Sequence, residues 1–475
     1  MKKLLCERAR LPEGWRDNVL LTLNDRGAIA ALTPDYDPAA QAPDPTERRA
    51  ATIERIAGAC LPGLANLHSH AFQRAMAGLA EVAGPRGDSF WTWRKVMYGF
   101  LAKITPDDLE IIAAQLYLEM LKAGYTAVAE FHYLHHDLDG RPYADPAEMS
   151  ERIIAAADTT GLALTHLPVL YNYSGFGGLP GNDDQLRFRH DATRFLTLLQ
   201  TLQGRHQGKA NLTLGLAPHS LRAVTPALMD EVLAGVETFL PGCPLHLHIA
   251  EQTQEVDDCL AWSGKRPVQW LLDHQADKGR ALDERWCLIH ATHLTAEETR
   301  GLAASGAVVG LCPTTEANLG DGLFPIVDYL AEGGAFGLGS DSHITVDPTE
   351  ELRLLEYGPR LTDRGRNLLA GGEGRSTGAR LYHAAAKGGA RALGRNSGAL
   401  AVGRQADFIV LDHQDPALIG RQGDQLLDSW IFFNGPSRPL SKVFVAGREV
   451  ITDGHHRQEA AISQRYRDCL RRLLG

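Results

Sequence analysis

Leu64-Ala65-Asn66-Leu67-His68-Ser69-His70 is a short apolar run that ends in two histidines, and the same pattern recurs along most of the chain. His246-Leu247-His248-Ile249-Ala250-Glu251, Trp286-Cys287-Leu288-Ile289-His290 and Phe336-Gly337-Leu338-Gly339-Ser340-Asp341 each place a metal- or proton-binding residue at or just past the end of such a run. Barrel enzymes carry their chemistry at the C-terminal ends of parallel strands. His68, His70, His248, Glu251, His290 and Asp341 therefore read together as one hydrolytic metal site drawn from distant segments.

Working outward, strand-like segments fall at 64–68, 125–131, 162–170, 212–217, 244–250, 286–290, 307–311 and 335–339. Helix-period stretches lie between them. The clearest is 107–123, which Thr105 can cap, Pro106 suits as first residue and Gly124 suits as exit. Eight buried strands alternating with helices predict parallel pairing and closure, an α/β fold of the (β/α)8 TIM-like barrel kind over 61–399. Residues 1–60 and 400–452 contain short alternating runs with turns, and they predict a small β-sheet domain built from both chain termini, followed by a helical tail over 453–475. Two Gly-rich stretches, 175–184 and 371–378, read as loops, the first as a lid over the site.

Composition narrows the function. The chain has 475 residues, 44% of them hydrophobic, and a formal net charge of −10. An acidic surface repels nucleic acid and anionic membranes, so no nucleic-acid partner and no membrane partner is expected. No apolar run is long enough for a bilayer, and Met1-Lys2-Lys3-Leu4-Leu5-Cys6 is too short for a signal-peptide core. Seven cysteines without a Cys-x-x-Cys pair argue against a disulfide framework and a thiolate metal site, which points to the cytoplasm.

His68 and His70 project to the same side of an extended strand, so both can face one ion. A His-x-His pair alone is equally well explained by packing. His246 and His248 also share a face, and His248, nearer the strand end, is the better ligand, with His246 packed one layer lower. Glu251, three residues on, suits a proton shuttle. His290 ends its apolar run, whereas His293 lies beyond the strand. An Asp after glycine is ordinarily a turn residue, but in this setting Asp341 can ligate a metal with one carboxylate oxygen and take a proton from water with the other.

On these residues the chain resembles the amidohydrolase superfamily. Pro62-Gly63-Leu64-Ala65-Asn66-Leu67-His68-Ser69-His70 is similar to its first-strand motif, and Gly403-Arg404-Gln405-Ala406-Asp407-Phe408-Ile409-Val410-Leu411-Asp412 resembles its recurring C-terminal sheet segment. The resemblance implies that His68, His70, His248 and Asp341 hold one divalent metal ion, Zn2+ or alternatively Fe2+, with Glu251, His290 and Asp341 catalytic. The binuclear branch uses a carboxylated lysine at the end of the fourth strand. Here that strand ends Leu216-Ala217-Pro218-His219 and the only nearby lysine, Lys209, precedes it, which favours a mononuclear site.

A narrower likeness involves Asn66-Leu67-His68-Ser69-His70-Ala71-Phe72-Gln73-Arg74, Ala129-Glu130-Phe131-His132-Tyr133-Leu134-His135, Ala217-Pro218-His219-Ser220-Leu221-Arg222-Ala223-Val224 and the segment 311–322. Together they resemble the branch that deiminates N-formimino-L-glutamate to N-formyl-L-glutamate and ammonia in histidine degradation. By that resemblance Gln73, Tyr133, His219 and Arg222 bind substrate and the enzyme is a homodimer. The chemistry agrees, because the substrate is a small anionic molecule with two carboxylates and Arg222 offers a planar fork for one of them. Arg94 is a candidate for the second, although a salt bridge on a helix face would explain it equally well. Two other readings compete: a nucleobase or heterocycle deaminase on the same scaffold, and a non-catalytic amidohydrolase-like scaffold protein.

Overall fold

The computed structural model describes residues 1–37, 53–83, 90–433 and 439–475. Eight parallel strands form its centre. Their order around the barrel is Leu64–Ser69, Tyr125–His132, Ala163–Leu170, a fourth strand, Leu245–Ile249, Trp286–His290, Val308–Leu311 and Ala335–Leu338, with the last returning to the first through Leu338 and Asn66. The fourth strand is broken into Leu212–Leu214 and Ala217–Pro218, where sequence reading expects one run over 212–217. Gly215 causes the break: a Cβ there would come within 2.6 Å of the Pro244 carbonyl oxygen. Leu216 can then turn toward the fifth strand. Its N–H donates to Pro244 O at 3.1 Å and its carbonyl accepts from His246 N at 3.1 Å, which closes the barrel.

Helices wrap the strands for local reasons as well as global ones. In Pro106–Ala123 the Thr105 hydroxyl accepts from Asp108 N while the Asp108 carboxylate accepts from Thr105 N, a reciprocal cap. Gly124 ends the helix in the left-handed region at φ 107°, which costs a glycine little. Thr377–Ala392 lies directly on the eighth strand, since a Cβ at Gly388 would overlap the Phe336 carbonyl.

Both chain ends build a second, seven-stranded sheet. Its order is Arg448–Thr452, Leu440–Val445, Phe408–Leu411, Ile53–Pro62, Lys2–Leu11, Gly14–Leu23 and Ile29–Thr33. It has its own core, in which Phe408 stacks on Phe444 with ring centroids 4.2 Å apart among Leu4, Val19, Leu21 and Ile56. Residues 38–52, part of the expected N-terminal sheet segment, lie outside the described residues. The stretch 175–184, read as a lid, holds a two-stranded hairpin, Tyr173–Gly175 with Leu179–Pro180, whose Phe176 ring stacks on Trp262 at 5.5 Å. Glu459–Leu474 is the C-terminal helix. No helix among the described residues is long and apolar enough to cross a membrane. All seven cysteines are free and buried.

Beside the barrel mouth, His132, His135, His136, His166 and His190 pack together, with ring centroids 4.6 Å apart for His135 and His190 and 5.5 Å for His132 and His166. His132 Nε2 and both ring nitrogens of His166 and of His190 have no partner among the described residues. Burial first, and neighbouring charge second, holds His132 and His190 down to about 3, with His135 and His166 also far below the usual histidine range. Above pH ~6.5 these imidazoles are neutral whether the chain is folded or not. As pH falls from there toward 3, the unfolded chain takes up protons that the folded one refuses. Stability then declines by up to about 1.4 kcal/mol per pH unit for each such group. Urea unfolding should therefore show a lower midpoint at pH 5 than at pH 7, and His190→Gln should flatten the dependence. A midpoint that does not move with pH would contradict this account.

Candidate active site

The C-terminal ends of strands one, five, six and eight converge. His68 Nε2 lies 3.0 Å from His248 Nε2, and both His68 Nε2 and His70 Nε2 lie 3.4 Å from Asp341 Oδ1. His290 Nε2 stands 3.8 Å from Asp341 Oδ2 and 3.8 Å from Glu251 Oε1. All six side chains are buried. The backbone bends sharply to aim them: Ala250, His290, Ala291 and Asp341 adopt φ of 50°, 66°, 48° and 42°, a region that non-glycine residues rarely occupy outside strained functional turns.

The ring tautomers follow from the partners. His70 Nδ1 lies 2.9 Å from Phe131 O and His248 Nδ1 lies 3.1 Å from His219 O. A carbonyl can only accept, so each Nδ1 carries the proton and each Nε2 turns a lone pair inward. His68 Nδ1 has no partner among the described residues. Burial, followed by the neighbouring imidazoles for His68 and His248, holds all three histidines below their usual range, so they are neutral, the form that ligates. Three inward nitrogens and one carboxylate form the donor set of a divalent cation, and the residues fit one. His246 stands apart, a layer lower, with Nε2 donating to Ala392 O at 2.8 Å. His248→Ala should therefore lose metal and activity together, whereas His246→Ala should keep metal and lower stability by about 1–3 kcal/mol. Metal analysis with thermal unfolding of both variants checks this, and the opposite pattern would exchange their roles.

His290 is electrostatically unlike the others. Burial alone would lower its pKa, but the carboxylates of Glu251, Glu316 and Asp341 reverse the sign and raise it. Glu251 is also raised, mainly by burial and despite the opposing His290. The two groups thus hold protons near neutral pH beside the inward-facing donors. His293 lies off to the side, half-buried, with its backbone N–H on Ala250 O.

Next to this cluster is a pocket lined by Gln73, Arg94, Tyr133, His219 and Arg222, among others. Gln73 Nε2 donates to the Tyr133 hydroxyl at 3.1 Å, leaving Gln73 Oε1 buried and unpartnered among the described residues. His219 ends the fourth strand and Nδ1 lies 3.1 Å from Ser220 Oγ. Arg222 is 8% exposed, yet its Nε and Nη1 have no hydrogen-bond partner among the described residues. Arg94, on the helix Phe90–Leu101, hydrogen-bonds the Tyr171 hydroxyl at 3.0 Å. Both guanidinium groups lie 5.7 Å from the Trp91 ring. Lys209 is occupied on the surface by Asp158 at 2.6 Å, away from the histidine–carboxylate cluster.

The amidohydrolase family model matches residues 59–450. The chain belongs to that family. It is 53% identical over 474 residues, all of both chains, to formimidoylglutamate deiminase of Pseudomonas aeruginosa. It superposes on an amidohydrolase from Brucella melitensis with TM-score 0.90 at 46% identity, covering both chains completely. An adenosine deaminase from Xanthomonas campestris, solved with bound zinc, shares the fold at TM-score 0.77 and 21% identity, over 99% of this chain and 98% of that one.

Three carboxylates support this amidohydrolase's cluster from behind, and sequence reading passes over them. Glu130 accepts from Ser69 Oγ at 2.6 Å, Ala71 N at 2.7 Å and Tyr117 OH at 3.1 Å, so it braces the backbone on both sides of His70. Burial pushes it up to about 7, although those three donors act the other way. Glu316 accepts from Cys312 N and sits 3.3 Å from His290 Nδ1. Glu255 accepts from the N–H groups of Ala250 and Glu251. His343 joins this support, with Nε2 accepting from His70 N at 3.2 Å.

Proposed function

We propose that this amidohydrolase hydrolyses N-formimino-L-glutamate to N-formyl-L-glutamate and ammonia. The observation that carries the reading is the buried guanidinium of Arg222, whose Nε and Nη1 have no partner among the described residues, close with Arg94 to the Trp91 ring and lining the pocket beside the histidine–carboxylate cluster. Such a pocket suits a dicarboxylate and wastes two cations on a neutral heterocycle. The full-length likeness to the Pseudomonas deiminase supports the same substrate.

His68, His70, His248 and Asp341 would hold one divalent ion, and we assign zinc, with iron(II) acceptable to the same donors. When bound, it supplies Lewis acidity that makes water a better nucleophile near neutral pH. The chain does the rest. Asp341 takes a proton from the attacking water, and His290 helps to orient it. Arg222 and Arg94 anchor the two carboxylates, while Gln73, Tyr133 and His219 hydrogen-bond the formimino group. Water oxygen bonds the formimino carbon, Glu251 delivers a proton to the terminal nitrogen, and cleavage of that C–N bond releases ammonia and leaves the formyl carbonyl. The free buried cysteines suit a reducing cytoplasm. Sedimentation would decide whether the working unit is the expected homodimer.

The test is ammonia release from formiminoglutamate, guanine, cytosine and adenosine, with mass spectrometry of the products. N-formylglutamate with ammonia supports the proposal. Glutamate with formamide would overturn the leaving group, activity on a heterocycle alone would overturn the substrate, and metal-free, inactive protein would return the chain to the scaffold reading.

A further inference from the structure

At the end of the barrel opposite the histidines, a cavity of about 790 Å3 opens between the barrel floor and the two-ended sheet. Pro62, Pro244 and Arg285, which precede the first, fifth and sixth strands, form its floor, and Arg10, Leu11 and Leu400 form the facing wall. Among the described residues that line it, Glu284 is the only carboxylate, in a chain whose net charge is −10. Two of its arginines are neutralised elsewhere, Arg285 by Asp283 and Glu237 and Arg395 by Asp407.

Among the described residues, no ion pair engages Lys387, Arg391 or Arg404. His383, Lys387 and Arg391 occupy successive i, i+4 positions on the helix Thr377–Ala392, so they form one stripe along the cavity wall. Lys387 and Arg391 place like charges at i and i+4, which weakens a helix, and no acidic residue interrupts this stripe. His383 Nε2 and Arg391 Nε are buried without a partner among the described residues, while Arg391 Nη2 donates to Gly306 O. Arg10 is ion-paired with Asp424, its Nε 3.5 Å from Oδ1, and its Nη1 donates to Leu11 O. Burial and the nearby Arg10 hold His383 at about 4, so it is neutral and free to donate or accept. Arg404, exposed at the rim, donates from Nη1 to the neutral Asn396 Oδ1 at 2.7 Å. Lys387, Arg391 and Arg404 give this roomy cavity a cationic lining that suits an anion, and the apolar wall of Leu11, Pro12, Pro244 and Leu400 would cover a carbon skeleton.

We propose that this cavity binds a small organic dianion, a phosphate ester or a dicarboxylate, independently of the catalytic mouth. Calorimetric titration of the metal-loaded protein with inorganic phosphate and, separately, succinate at low ionic strength tests it, with metal content measured before and after. Saturable binding is expected for at least one probe, and which one binds assigns phosphate ester or dicarboxylate. Lys387→Glu, a change at an exposed position, should weaken it by roughly tenfold or more, and Arg404→Gln should weaken it less. Arg222→Met should leave it unchanged. No saturable heat with either probe would overturn the proposal. So would binding that survives Lys387→Glu and disappears in Arg222→Met, since the probe would then be occupying the catalytic mouth.

Discussion

Glu251→Gln should keep the fold and the metal while turnover on formiminoglutamate falls by about 10²–10⁴-fold, the usual range for removing a positioned acid–base group. The side chain is held for that task. The fifth strand ends at Ile249, Ala250 turns through φ 50°, and the carboxylate of Glu255 fastens the next two N–H groups at 3.3 and 3.0 Å. Glu251 Oε1 is thereby set 3.8 Å from His290 Nε2 in a buried site where its proton is retained to higher pH than usual. Glutamine has the same shape and the same backbone anchors, but its amide cannot pass a proton from water to a leaving nitrogen. Single-turnover kinetics alongside metal analysis measure the effect. Near-normal turnover with full metal occupancy would exclude Glu251 as the shuttle.

Arg222→Met should lower kcat/KM for formiminoglutamate by about 2–5 kcal/mol, or roughly 30- to several-thousand-fold, because a desolvated bidentate contact is lost and the substrate carboxylate is left unpaired. Methionine preserves the unbranched length against Trp91, so packing changes little. Arg222→Lys should recover only part of the loss, since an ammonium restores charge without the planar fork. Arg94→Met should cost less, as one of its nitrogens is already engaged by Tyr171. Wild-type kcat/KM in Arg222→Met, with metal content unchanged, would sink the anionic-substrate reading.

The barrel and its candidate metal site are legible in the sequence because each proposed ligand sits in a local pattern, an apolar run followed by a polar residue. His68, His70 and His290 are readable from one strand each, and His248 is separable from His246 by its distance from the strand end. Glu130, Glu316 and Glu255 carry no such mark. Glu130 lies inside the second strand, and its partners Ser69 and Ala71 are neighbours only after the first two strands pair. Glu316 and Glu255 lie on short helices where a glutamate is unremarkable, and their meaning appears only when those helices return over strand ends. The break in the fourth strand was hidden for a similar reason, because Gly215 looks permissive until Pro244 is placed against it. The pairing of Arg94 with Arg222 likewise needs the third dimension, since Trp91 brings together residues on unrelated elements.

The two-ended sheet sets a schedule for making the protein. Ile53–Pro62 pairs with Lys2–Leu11 on one edge, and its other edge waits for Phe408–Leu411. At ordinary translation rates the missing neighbour is synthesised some 20–70 s later, after roughly 350 further residues have left the ribosome. Throughout that interval a half-finished sheet exposes an open backbone edge and the apolar side chains that Phe408 and Phe444 will cover. A ribosome stalled inside the barrel would thus release a chain whose beginning is sticky, and the segment from Phe408 onward acts as the clasp that makes the nascent protein safe to let go.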